Sequence, residues 1–226
     1  HGIRTALVGK THATANIDAL QRMAINPESE QAEIFNEVGF EPYMRHDGIY
    51  PDDPLFDDKR ESAPYTHYLR EHGFDGKNPW HDWANAAEGE NGEILSGWKM
   101  RHANLPARIP EQHSETVYTT NRAIDFITEQ GEKSWCLHLS YIKPHWPYIV
   151  PAPYHALYST KSILEAVRAT PSEASKHPVY TAFRQHEESL NFSRDSVRLT
   201  VIPTYMGLVK QVDDQLGRLF DFLQSN

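Results

Sequence analysis

The stretch SETVYTTNRAIDFITEQGEKSWCLHLSYI, residues 114–142, decides the fold class. Ser114 stands where an N-cap belongs, and Glu115 falls in the first turn, where the helix dipole favours an anion. Val117, Ile124 and Ile127 recur near one face, and Gly131 supplies a stop. The spacing predicts a helix over 114–130. After a short turn, Ser134 to Ile142 reads as a strand. Helix, short turn and strand make one αβ step of an α/β fold.

Working outward, Thr5 to Val8 is a second short apolar run closed by Gly9, the pattern of a buried parallel strand. The two strands are expected to be parallel neighbours or near neighbours. A third periodic segment, Thr204 to Gln224, carries Tyr205, Leu208, Val209, Val212, Leu216, Leu219, Phe220 and Leu223 at helical spacing. Pro203 stands at its expected start. Residues 114–130 and 204–224 should pack on the sheet faces. Helical character is expected from about Glu28 to Asn36, and in pieces over 160–200. Residues 37–110 are rich in Gly, Pro and aromatic residues, and read as an ordered excursion with short hairpins, lying over the sheet rather than in it.

The 226 residues hold 39% hydrophobic and 23% charged side chains, enough for a sizeable core. No run reaches the roughly 18 apolar residues of a membrane span. Net charge is −9, which argues against a general nucleic-acid surface. A single cysteine, Cys136, excludes a disulfide framework and a multi-cysteine metal site. Mid-strand, it reads as a small buried hydrophobe. Asp52, Asp53, Asp57 and Asp58 lack the spacing of a calcium loop and read as a solvated turn.

Two segments carry chemistry. Gly9-Lys10-Thr11 hints at a phosphate-binding loop, but Arg4 stands where that loop needs glycine, so the reading fails. Lys10 and His12 instead follow a strand in a Lys-X-His pattern, and Lys143 and His145 repeat it after the second strand. In open α/β sheets, ligands bind at the carboxyl ends of strands. Lysine and histidine there suit a tetrahedral oxyanion such as phosphate, phosphonate or sulfate. For Lys143 a solvated loop lysine is the competing expectation.

Three blocks then show a family resemblance. GIRTALVGKTH resembles the sulfatase block that follows the nucleophile segment. LHLSYIKPHWPY resembles that family's later strand-plus-histidine block, and YMGLVKQVDDQLGRL the helix preceding its second metal-ligand segment. Together they span nearly the whole chain in the family's order. The sequence is identified as a member of the sulfatases and phosphonate monoester hydrolases of the alkaline phosphatase superfamily. The loop PHWPY with APYH resembles the phosphonate monoester hydrolase branch, whereas Lys10 and His12 are the sulfatase choice where that branch carries Tyr and Thr.

The resemblance implies a mixed, mostly parallel sheet with helices on both faces, with residues 1–226 the central part of one catalytic domain. It implies that Lys10 contacts the anionic ester and the nucleophile, that His12 handles the nucleophile's hydroxyl, and that His145 binds an ester oxygen and protonates the leaving group. Lys143 joins Lys10 and His145 as a substrate-binding candidate. The family's nucleophile, a formylglycine made from Cys or Ser in Cys/Ser-X-Pro-X-Arg, has no counterpart in these residues. Neither do its aspartate metal ligands. The chain therefore reads as an internal piece, with a divalent metal (Ca, Mg or Mn) expected in the full-length protein and none bound by this chain alone. The expected partner is a small sulfate or phosphonate ester. A homo-oligomer and a bacterial cytoplasmic or periplasmic location are left open. The alternative is a non-catalytic anion- or ligand-binding α/β module.

Overall fold

The computed structural model describes residues 2–13, 16–48, 63–168, 170 and 176–226. The Asp52–Asp58 carboxylates lie outside them. Strand β1 (Arg4–Gly9) is the middle of a sheet that has three strands among the described residues. Its Ala6, Leu7 and Val8 are buried in succession, as a strand covered on both faces must be. Helices α1 (Ile17–Arg22) and α2 (Glu30–Asn36) follow, their N-caps Asn16 and Ser29 accepting from the Ala19 and Ala32 amides.

Strand β2 (Glu41–Arg45) then pairs parallel with β1. This corrects the expectation that residues 37–110 lie wholly over the sheet. Pro42 donates no ladder bond, and β2 tolerates it as an edge strand among the described residues. Its register shifts between Leu7 and Val8. The other described elements of the segment lie outside the sheet. They include α3 (Pro64–Glu71), a π-helical turn at Trp80–Ala84, and the antiparallel hairpin of β3 (Ala86–Glu88) and β4 (Ile94–Ser96). Tyr65, Leu69 and Trp80 from this segment share one core with Val8, Met44 and Ile149.

Helix α4 (Glu115–Gln130) packs on β1 and on β5 (Trp135–Ser140). The Ser114 side chain makes no cap bond; its Oγ accepts from Gln211 Nε2 at 2.9 Å. As expected, β1 and β5 are parallel neighbours, from Arg4 opposite Trp135 to Gly9 opposite Ser140. Cys136 is exposed rather than buried. It sits on the other edge strand of the described sheet, where alternate side chains are open.

After the short helices α5 (Pro178–Arg184) and α6 (Glu187–Phe192), helix α7 runs from Asp195 to Ser225 and contains Pro203. Its main contacts are with α4 and the 151–157 loop rather than with the described sheet. The expected apolar stripe is rotated. Val201, Thr204, Leu208, Gln211, Gln215 and Leu219 are buried, while Tyr205, Val209, Phe220 and Leu223 are exposed. Thr204 Oγ1 donates to Ala103 O at 2.7 Å, and Gln215 Nε2 to Glu111 Oε1 at 3.5 Å, so the polar side chains have partners inside. At Gly207 a Cβ would lie 2.4 Å from Tyr154 O, which is how closely α7 meets the loop.

Candidate active site

All three strands of the sheet run the same way, so their carboxyl ends share one rim. From β1 the chain continues into Lys10–His12, from β2 into His46–Gly48, and from β5 into Tyr141–His145. The strand ends are laced together: Lys10 N–H donates to Ser140 O at 3.1 Å, and His46 N–H to Gly9 O at 3.0 Å. Gly9 is required here. Its φ is +110°, and a Cβ would fall 1.8 Å from Ser140 O.

That turn ends strand geometry at Gly9, so continued pleating does not place Lys10 and His12. A side chain from the neighbouring strand end does. Asp47 Oδ1 accepts the Thr11 N–H at 3.0 Å, and Asp47 Oδ2 accepts from Arg45 Nε at 2.9 Å. Arg45 Nη1 also donates to buried Glu37 at 2.6 Å. Burial pushes the Glu37 carboxyl up, against the opposing Arg45 charge. The Thr11 hydroxyl caps its own loop by accepting from Ala13 N at 2.9 Å. Lys10 emerges half-buried and His12 exposed.

The β5 side differs. His145 is exposed, with its Nδ1 2.6 Å from Trp146 O. A carbonyl only accepts, so Nδ1 carries the proton of the neutral ring and Nε2 is the nitrogen with a lone pair. Lys143 is not a solvated loop lysine: it is 7% exposed and points inward. Its Nζ donates to Asn85 Oδ1 at 2.7 Å and to Pro147 O at 2.8 Å. Burial pulls its pKa down to about 8, with Glu115 opposing the fall. The structure thus brings the Lys10–His12 and Lys143–His145 segments to one rim, but turns one lysine away from it.

Beneath the rim lies a buried polar layer that sequence patterns did not single out. Glu115 Oε1 accepts from His46 Nε2 and from Trp80 Nε1, each at 2.6 Å. Burial alone would raise the Glu115 pKa. The His46 bond and charge, the Lys143 charge and the Trp80 bond outweigh it, and the net shift is downward. Glu115 was legible only as a dipole-favoured residue of a first helical turn. Asp47 and His46 were hidden because β2 was not read as a strand.

Beside the His145 loop, a cleft of about 590 Å³ is lined by Trp98, Arg101, Trp146, Glu187 and Arg194 among others. Trp98 and Trp146 meet edge to face, with ring centroids 5.1 Å apart. Among the described residues, no group of three or more His, Cys, Asp or Glu side chains is arranged to hold a metal ion. The described donor set does not fit the divalent metal that the family resemblance implies.

Comparison with known proteins identifies the family and the fold. The sulfatase family model covers residues 1–226. The multifunctional alkaline phosphatase superfamily protein PehA of Trinickia caryophylli is 32% identical over 130 residues, which are 52% of this chain and 25% of that protein. The phosphonate monoester hydrolase SpPMH of Silicibacter pomeroyi superposes with a TM-score of 0.72 at 21% identity, over 99% of this chain and 42% of its own. The phosphonate monoester hydrolase of Agrobacterium radiobacter gives 0.64 at 18% identity, with the same coverage. At these identities the two structures establish an alkaline-phosphatase-like α/β fold. The chain spans about a quarter of the curated relative and under half of each solved structure. With its full length matched, the chain belongs to the sulfatase family.

Proposed function

We propose that the full-length protein hydrolyses sulfate monoesters or the related phosphonate and phosphate esters, and that this chain is the central part of its single catalytic domain. One observation carries the reading: β1 and β5 pair in parallel register up to Gly9 and Ser140, so both Lys-X-His segments leave the sheet at the same rim. In this reading the nucleophile, a formylglycine, and the ligands of the divalent metal belong to flanking sequence. Lys10 supplies a fixed positive charge to the ester oxygens and the nucleophile. His12 takes up or returns the proton of the nucleophile's hydroxyl. His145, in the imidazolium form that carries a second proton on Nε2 while Nδ1–H stays on the Trp146 carbonyl, approaches an ester oxygen and delivers the Nε2 proton to the departing group. The cleft beside Trp146 receives the organic part of the ester.

The test uses the full-length protein with added divalent metal, on aryl sulfate and aryl phosphonate esters. General acid–base groups contribute about 100- to 10,000-fold, so His12→Ala and His145→Ala should each lower kcat/KM by at least the smaller factor. Near-normal rates in both variants refute the site assignment. Anion binding without turnover on any ester class favours a binding module. The isolated 226-residue chain is expected to give no turnover above background.

A further inference from the structure

We infer that Lys143 is a positioning residue for His145, holding the loop that carries it, and is not a ligand of the substrate anion. The inference rests on the hydrolase reading above and assigns a different job to one of the residues that sequence pattern grouped with the anion site.

The geometry is local and closed. Lys143 and Pro147 bracket His145, and the Lys143 ammonium reaches across the loop to the Pro147 carbonyl at 2.8 Å. His145 Nδ1 is tied to the carbonyl of Trp146, the residue just before Pro147, at 2.6 Å. One bond therefore fixes the peptide segment from which the other sets the imidazole. If the Trp146–Pro147 segment moves, the ring moves with it.

The second Lys143 bond anchors the loop to the rest of the fold. Asn85 accepts at 2.7 Å, and Asn85 is itself pinned: its Nδ2 donates to Trp80 O at 3.1 Å, and its carbonyl accepts from Gly97 N at 2.8 Å. Asn85 is buried with Lys143. An ammonium has three protons, and protein acceptors hold two of them. Glu115 lies close enough to lower the cost of the buried charge. A lysine that bound substrate would present its ammonium to the rim, as half-buried Lys10 can.

The experiment is a leaving-group series in the full-length protein, comparing wild type, Lys143→Met, His145→Ala and the double variant. Met keeps an unbranched side chain as far as the ε carbon and removes both bonds. A misplacement of about 1 Å can cost about 100-fold, so Lys143→Met should lower kcat by about 10- to 100-fold. The loss should be greater for a poor leaving group than for a good one. KM and inhibition by inorganic sulfate should be nearly unchanged, and the double variant should be no slower than His145→Ala. Multiplied losses in the double variant, or a raised KM with unchanged leaving-group dependence, would overturn the proposal. If Lys143→Met does not fold, Asn85→Ser removes one of the two bonds and is read the same way. Absence of wild-type turnover on every ester would instead remove the hydrolase reading, and this inference with it.

Discussion

Replacing Glu115 with Gln tests the buried layer beneath the rim. The substitution preserves shape and an acceptor oxygen, but deletes a charge that is 4% exposed. Two bonds of 2.6 Å, from His46 and Trp80, then end on a neutral acceptor. A hydrogen bond to a charged group contributes about 1.5–3 kcal/mol, against about 0.5–1.5 for a neutral one, so the two together lose about 2 kcal/mol. Lys143 is left buried without its compensating charge, and breaking a buried pair from one side costs about 3–5 kcal/mol. These effects overlap, because the carboxylate is common to both. Relief from burying the carboxylate offsets a further part. The net expectation is a loss of about 3 kcal/mol. For a chain of this size that is a fall in Tm of about 6–12 °C, and less in a larger full-length protein. Urea unfolding followed by tryptophan fluorescence measures it. Glu115→Gln combined with Lys143→Met should cost about 2 kcal/mol less than the sum of the two singles, since the second change removes the stranded charge. A single-variant loss under about 1 kcal/mol, or additivity in the double, would refute the claim that Glu115 balances Lys143.

Other expectations follow from the same geometry. Gly9→Ala places a methyl 1.8 Å from Ser140 O at a φ of +110°, so it should cost about 3 kcal/mol or more and sharply reduce folded yield. Gly217→Ala, in α7 with open space around it, should instead raise stability by about 0.5–1 kcal/mol. Equal thermal shifts for the two would remove the argument for β1–β5 contact. Stability should also depend on pH through Lys143, whose pKa falls from an ordinary 10.5 to about 8 in the folded chain. Between those values the unfolded chain binds a proton that the folded one has released, so this group makes stability rise with pH. The full interval is worth about 3 kcal/mol. The contribution reads as a difference in slope between wild type and Lys143→Met over about pH 8 to 10. No difference in slope would show that the lysine is not desolvated.

What the sequence disclosed follows from how each element is stabilised. Strands β1 and β5 and helix α4 were legible because their own residues carry the pattern, whether a short apolar run closed by glycine or a periodic face ended by Gly131. Strand β2 was not. Pro42 and the flanking Glu41 and Arg45 spoil its apolar signature, and its place comes from the backbone ladder to β1 and the Arg4–Glu41 pair, whose Nε–Oε2 distance is 2.9 Å. Helix α7 was found but misread at its start and around its axis. It continues through Pro203, and its buried face takes Thr204, Gln211 and Gln215 because acceptors on Ala103, Ser114 and Glu111 wait for them. Hydrophobic spacing records what a side chain prefers in water, not which partner the fold will bring to it.

The two Lys-X-His segments show the same principle at the rim. In sequence they look like copies, each a lysine and a histidine two apart after a strand. Their neighbours make them different. Lys10 follows a strand end braced by Asp47 and emerges half-buried. Lys143 follows a strand end that faces Asn85 at 2.7 Å and shares its interior with Glu115, and its charge turns inward. An ammonium goes where its protons are accepted and its charge is matched, and the second strand end meets both conditions inside the protein. In the proposed reading the repeated pattern is thus divided between one lysine available to an anion and one that fixes a loop, with a histidine at the rim in each case.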